Sequence, residues 1–121
     1  MTVTLSYRKR EIVAQYIAEL DKHIDDLKAG KVDRAKEIRD FAAILHIHPN
    51  HLSNTVKEVT GQSTCYLYEN RLLAVSKELL LSTDMSIASI AIQLTYDPSN
   101  FTKFFKAFTG ITPKEFRNSN R

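Results

Sequence analysis

Polar side chains recur twice along the chain at the spacing of one helical face. Each group follows the pattern i, i+3, i+4, i+7, so its members share one side of a helix. Asparagine can bind adenine through two hydrogen bonds, lysine can bind guanine or phosphate, and serine or threonine can do either. Neither group contains an acid. The groups are Asn50, Ser53, Asn54 and Lys57, and Ser99, Thr102, Lys103 and Lys106.

The two groups belong to an internal repeat, because residues 38–67 align without a gap with residues 87–116. Conservative apolar pairs fall at core spacing between the identical ones. The same small unit is therefore built twice. The identical pairs are Ile38/Ile87, Ala42/Ala91, Leu45/Leu94, Pro49/Pro98, Lys57/Lys106, Thr60/Thr109 and Gly61/Gly110.

Each repeat predicts a short helix ending in leucine, a connection of three or four residues, and a second helix opened by proline. This is the outline of a helix-turn-helix, whose second helix can enter a major groove. An ordinary helical hairpin shares the outline, but its repetition favours the helix-turn-helix. The stripes expected to be buried are Leu52, Val56 and Val59 in the first copy, and Phe101, Phe105 and Phe108 in the second.

Proline and glycine fall where helices should start or stop, and no stretch alternates in the manner of a strand. The sequence predicts an all-α, homeodomain-like fold of about seven helices. We expect a cover helix and first helix-turn-helix over 1–62, a linker helix over 63–85, and a second helix-turn-helix over 86–121. The predicted helices are 7–28, 33–45, 49–59, 63–82, 86–94, 98–108 and 113–118.

Charge, apolar content and cysteine count limit the classes of protein to which the chain can belong. The net charge is +3 over 121 residues. The first 60 residues are nearly balanced, whereas the stretch from Pro98 onward is basic and suits a polyanion. No apolar run could cross a membrane, and the single cysteine excludes an internal disulfide. We expect a cytoplasmic protein without a membrane segment, with Cys65 as a small packing residue. The basic residues of the last stretch are Lys103, Lys106, Lys114, Arg117 and Arg121.

Histidine is a common zinc ligand, and His46, His48 and His51 lie close together in the sequence. They straddle a turn and a helix start, and no cysteine or carboxylate lies nearby, so we assign them to a surface near DNA. The sequence shows no paired carboxylates, phosphate loop or catalytic triad. We therefore expect no metal, no cofactor and no enzymatic activity.

The second copy, IAIQLTYDPSNFTKFFKAFTGITPKEFR at residues 90–117, resembles the C-terminal motif of the AraC/XylS family. The upstream HPNHLSNTVKEVTGQS resembles the first motif of that family. The likeness covers roughly residues 33–117. It implies two helix-turn-helix units, joined by a long helix, that read adjacent major grooves of double-stranded DNA and regulate transcription.

The resemblance also implies roles for the repeated polar residues. Phosphate contacts fall on Lys57 and Lys106, and we expect one at His51 as well. RNA polymerase is an expected partner, as is an N-terminal effector-binding domain outside these residues. A helical module that keeps the fold but binds only protein is the alternative. Base contacts fall on Asn50, Ser53 and Asn54 in the first unit, and on Ser99, Thr102 and Lys103 in the second.

Three departures from the family pattern bear on the site. Thr95 stands where the family has a turn glycine, so the backbone there is expected to be strained or differently shaped. Asn54 and Lys103 replace arginines that are frequent in the family, so no sequence preference can be transferred. His48 replaces the usual serine or aspartate cap, which predicts a less rigid first recognition helix.

The helix predicted over 63–82 would be about 30 Å long, close to the roughly 34 Å between successive major grooves on one face of DNA. The repeats run head to tail, so one monomer could read two boxes without a palindrome. We expect a site of roughly 15 to 20 base pairs on this spacing. The stretch before Tyr7 resembles a linker, which favours a piece of a longer regulator over a stand-alone protein.

Overall fold

The computed structural model describes residues 2–121, with side chains from Tyr7 onward. Over those residues the chain forms seven α-helices and no strand, which confirms the predicted fold class. None of these helices is long and apolar enough to cross a membrane. The helices are α1 (Thr2–Lys28), α2 (Ile38–Leu45), α3 (Pro49–Thr60), α4 (Thr64–Ser82), α5 (Ile87–Gln93), α6 (Pro98–Thr109) and α7 (Pro113–Asn120).

The chain divides into two compact units, each holding one copy of the repeat. Unit 1 comprises Met1–Asp25 and Lys36–Glu69, and so contains most of α1, all of α2 and α3, and the start of α4. Unit 2 comprises Asp26–Ala35 and Asn70–Arg121, with most of α4 and all of α5 to α7.

Unit 1 is built on an apolar stripe of α1. This stripe includes Ile12, Tyr16 and Leu20, which are buried, as its helical spacing predicts. The ring of Tyr16 packs edge-on against Phe41 of α2, with 5.3 Å between ring centroids. Next to Phe41, Ala42 is fully buried, and its small side chain allows α3 to pack closely on α2.

Two predicted helix starts were wrong. The first helix begins at Thr2 instead of residue 7, so the stretch predicted to be a linker is helical from Thr2 onward. The second begins at Ile38 instead of residue 33, because the carboxylate of Asp40 accepts a hydrogen bond from the N–H of Glu37 (2.7 Å) and caps the helix there. The backbone just before α2 is not helical, because the N–H of Lys36 donates to Nε2 of the buried His23 (3.0 Å) instead of to a helical carbonyl.

Unit 2 has an aromatic core. Phe101 and Phe105 of α6 are fully buried, and Phe105 packs edge-on against Phe116 of α7 at 5.4 Å between centroids. Tyr96, in the turn before α6, stacks on Phe104 at 5.1 Å. Large planar groups bury much apolar area per residue, so this small unit can form a core of its own.

Equivalent backbone hydrogen bonds close the turn in both copies. The N–H of Ile47 donates to the carbonyl of Ala42 (3.0 Å), and the N–H of Tyr96 donates to that of Ala91 (2.8 Å). This closure requires a left-handed residue just before it. His46 (φ 59°) and Thr95 (φ 69°) occupy that equivalent position. The turn at Thr95 thus keeps its shape without glycine, at the cost of strain in a β-branched residue.

Replacing Thr95 with glycine should therefore stabilise the protein by about 1 kcal/mol, because glycine adopts positive φ without steric penalty. Urea unfolding of Thr95→Gly against the parent measures the change. The matched control is Ala74→Gly, at an exposed position in the middle of α4. There, glycine should destabilise by about 1 kcal/mol. A loss of stability in both variants would show that the threonine side chain contributes more than its backbone strain costs.

Candidate nucleic-acid interface

The two second helices of the repeat, α3 and α6, end in the same way. The hydroxyl of Thr60 donates to the carbonyl of Val56, and that of Thr109 to the carbonyl of Phe105, both at 2.8 Å. Each threonine oxygen also accepts from the N–H two residues on, at 3.0 and 3.3 Å. A left-handed glycine follows in both copies. The two helices are thus structural equivalents as well as sequence repeats.

The buried side of these helices differs in part from the prediction. Leu52, Val56, Phe101 and Phe105 are buried as expected. Val59, however, is 39% exposed, and Phe108 is only half-buried. These two positions lie in the last turn of each helix.

Thr55 and Phe104 complete the buried stripes instead, and both are at most 8% exposed. They occupy equivalent positions of the repeat, one turn after Leu52 and Phe101. Thr55 was missed because it is polar. Its alignment with a phenylalanine was the signal in the sequence that could have identified it.

The opposite side of each helix carries the predicted contact residues and faces solvent. Asn50, Asn54 and Lys57 are exposed on α3, with His51 beside them; Ser53 is half-buried at the edge of the face. On α6, Ser99, Lys103 and Lys106 are exposed and Thr102 is half-buried. The structure therefore brings the predicted residues together on one face in each unit, while their roles toward DNA remain predictions.

A side chain caps the start of both α3 and α6. Nδ1 of His48 accepts a hydrogen bond from the N–H of Asn50 (3.1 Å), so the cap of α3 is formed although histidine is an unusual residue for it. At the equivalent place in α6, the carboxylate of Asp97 accepts from the N–H of Ser99 (3.2 Å) and from its hydroxyl (2.6 Å).

The acidic side chains next to the exposed faces of α3 and α6 form ion pairs or hydrogen bonds with neighbouring residues. Glu58, adjacent to Lys57, forms an ion pair with Lys9 at 2.8 Å. Glu115 accepts the N–H of Thr112 (2.9 Å) in the capping box that begins α7. These hydrogen bonds from Thr112, with the nearby charge of Lys106, lower the pKa of the Glu115 carboxyl. Lys57 and Lys106 themselves are exposed.

Two members of the predicted basic cluster have structural roles. The half-buried guanidinium of Arg117 donates to the carbonyls of Leu80 (2.8 Å), Met85 (2.7 Å) and Thr83 (3.3 Å), where α4 ends. Arg121 forms an ion pair with Asp84 at 2.7 Å. The expectation that all five C-terminal cations form one patch for a polyanion is therefore wrong for these two, because free carbonyls at a helix end attract cations.

Cys65 is exposed at the start of α4, so its prediction as a packing residue was wrong. Its thiol donates to the carboxylate of Glu69 (3.4 Å). Desolvation by its neighbours and this acceptor raise the pKa of the Cys65 thiol, which leaves it protonated and a poor nucleophile at neutral pH.

A helical pair with a tight left-handed turn and a solvent-facing second helix, present twice, defines a helix-turn-helix DNA-binding domain. The helix-turn-helix domain family matches residues 41–119. The chain belongs to this family, in the branch of AraC-type transcriptional regulators, and is a DNA-binding domain of that class. It is 30% identical to the regulator YfiF of Bacillus subtilis over 102 residues, or 84% of this chain.

The chain is also similar to other known regulators in sequence and in structure. The arabinose operon regulatory protein of Escherichia coli is 29% identical over 84% of this chain. The C-terminal domain of AraT, a response regulator from Geobacillus stearothermophilus, superposes with a TM-score of 0.78 at 28% identity, covering 89% of this chain and 84% of that one. The chain spans only 31% of YfiF and 34% of the arabinose regulator.

Removing the Arg117 side chain should destabilise the protein by about 2–3 kcal/mol, since hydrogen bonds to a charged group are strong and the carbonyls lose their donor. Arg117→Lys should recover little, because an ammonium cannot reproduce the fork that reaches three carbonyls. Arg121→Ala, which breaks an exposed ion pair, is the control and should change little. Urea unfolding measures all three variants. Retained stability in Arg117→Ala would contradict the structural role.

Proposed function

We propose that this chain binds double-stranded DNA through the exposed faces of α3 and α6, set in adjacent major grooves, and thereby regulates transcription. The observation that carries the proposal is the duplicated face. In both copies, hydrogen-bonding side chains without an acid among them are presented opposite a buried stripe. Family membership supports it, as does a fold shared with the DNA-binding domain of AdpA, solved with a target DNA (TM-score 0.74, 16% identity, covering 88% of this chain and 90% of that one).

In this proposal, different positions on α3 and α6 contact phosphates and bases. Lys57 and Lys106, one turn from the end of each helix, bind phosphates, and His51 does so from the first turn of α3. α4 is the linker between the two reading helices, and its uninterrupted 19 residues give a length of about 28 Å. The residues proposed to contact bases are Asn50, Ser53 and Asn54, and Ser99, Thr102 and Lys103.

The relatives are several times longer than this chain, so further partners belong to the proposal as well. We infer that the chain works with RNA polymerase and with an N-terminal effector-binding domain, that it acts in the cytoplasm, where bacterial DNA lies, and that it catalyses no reaction. The family is one of transcriptional regulators, which supports this inference.

DNA affinity should fall steeply as salt rises, because each neutralised phosphate releases counterions at about 0.9 log units of affinity per log unit of salt. Lys106→Ala should weaken all sequences alike and flatten this slope by about one. Filter binding or fluorescence anisotropy over a salt series measures both effects. Lys22→Ala, at an exposed position of α1, is the matched control and should leave the slope unchanged.

The alternative, a module that binds only protein, predicts no salt-dependent DNA affinity at all. That result would contradict the proposed function as a whole. An unchanged slope in Lys106→Ala, with the parent still binding, would remove only this lysine from the phosphate contacts.

Base readout can be tested by selection from a randomised duplex. The parent should select two separate boxes without a palindrome. Asn54→Ala should relax preference in one box and Lys103→Ala in the other, each at a cost of about 1–3 kcal/mol on the best site. Asn70→Ala, at an exposed position of α4, is the control. The assignment of one box to each helix would be contradicted if the parent selected a single box. It would also be contradicted if both variants selected the same motif as the parent.

A further inference from the structure

The first turn of α6 contains a hydrogen bond that fixes the direction of one side chain on the proposed DNA face. The hydroxyl of Ser99 lies 2.6 Å from the Oδ2 atom of Asp97, and the N–H of Ser99 lies 3.2 Å from the same atom. Ser99 is exposed. Its side chain is thus tied to the cap of the helix while remaining accessible to a ligand.

The charge of Asp97 decides which group donates. Its pKa is lowered, first by the Ser99 hydroxyl and further by the N–H groups of Asn100 and Ser99 and the charge of Lys103. An ionised carboxylate can only accept hydrogen bonds. The proton of Ser99 therefore points to Asp97, and the hydroxyl oxygen is left with its lone pairs toward solvent.

An oxygen that can only accept discriminates sharply among DNA groups. Phosphate oxygens, the N7 and O6 atoms of guanine and the O4 atom of thymine are all acceptors. The donors in the major groove are the amino groups of adenine (N6) and cytosine (N4). An acceptor facing Ser99 would compete with Asp97 for its only proton.

We propose that Asp97 acts through Ser99 as a specificity-determining pair, which makes α6 read the amino group of an adenine or cytosine at one position of its box. The inference rests on the proposed function and deepens it. Ser99 is the contacting residue and Asp97 the positioning residue. Ser99 is thereby excluded from phosphate binding through its hydroxyl.

The first copy of the repeat shows what the pair adds. There the cap is His48, and the residue equivalent to Ser99 is Asn50. The side-chain amide of Asn50 has both donors and an acceptor, so it can bind adenine or other bases. The two recognition helices thus differ in chemistry at equivalent positions, although their backbones end in the same way.

The test begins with selection from a randomised duplex by the parent and by Ser99→Ala. At a position where Ser99→Ala shows no preference, the parent should accept adenine and cytosine on one and the same strand and reject the two reversed base pairs. The accepted base is then replaced with an analogue lacking the amino group. The parent should lose about three- to tenfold in affinity, as expected for one hydrogen bond, and Ser99→Ala should lose nothing beyond the effect of the weaker base pair.

Asp97→Asn separates the role of the charge from that of the cap. An asparagine can still cap the helix, but its amide can donate to Ser99 and free the serine proton. This variant should also accept guanine or thymine on the strand where the parent accepts only adenine and cytosine, and a thermal melt should show that it remains folded. The readout is preference at one position, because losing a negative charge raises affinity for every sequence.

Three results would overturn the inference. They are a parent that binds the analogue without the amino group as tightly as the natural base, a parent and Ser99→Ala with identical motifs, and Asp97→Asn with unchanged preference. If Asn54→Ala and Lys103→Ala still alter the motif in these cases, the proposed DNA binding stands and only the pair fails. If the parent selects no sequence at all, the proposed function and the inference fail together.

Discussion

The left-handed residue that ends the first helix of each repeat is the constraint on which both units depend. It lets the chain reverse within three or four residues, so that the second helix begins at proline and lies across the first. Without that reversal, the stripes of α3 and α6 could not be buried beside Ala42 and Ala91. The protein meets this requirement with His46 and Thr95 instead of glycine, and the same backbone hydrogen bonds hold both turns.

Once the turn is set, the ends of the reading helices are fixed by local hydrogen bonds. A side chain at residues 48 and 97 caps the start, and a threonine followed by glycine closes the end. The remaining side chains of α3 and α6 then divide between core and solvent by helical geometry alone. Except at Ser99, whose hydroxyl is hydrogen-bonded to the Asp97 cap, the chemistry of the exposed faces is therefore independent of the bonds that maintain their shape.

Much of this architecture was readable in the sequence because it depends on periodicity and on helix-end residues. The repeat, the all-helical fold, the capping box at Thr112 and the exposure of Asn54 and Lys103 follow from such local rules. The start of α2 did not, since the lysine- and arginine-containing stretch after residue 33 has adequate helix propensity and only the Asp40 cap sets the boundary. The roles of Arg117, Thr55 and Cys65 were not predicted, because each depends on the residues that lie nearby in space. Arg117 binds carbonyls that are distant in the sequence, and Thr55 is buried in the core although it is polar. Cys65 is exposed because no core surrounds it.

The closure of each recognition helix by one threonine, one glycine and main-chain atoms has a consequence for how such a domain can change. The positions facing solvent contribute little to folding, so substitutions there alter what is recognised at small cost in stability. Because the two copies are closed alike but carry different faces, one half can acquire a new target while the other keeps its old one. The duplication thus gives the chain a modular route to new specificity, in which retargeting and folding are governed by separate sets of residues that share only Asp97.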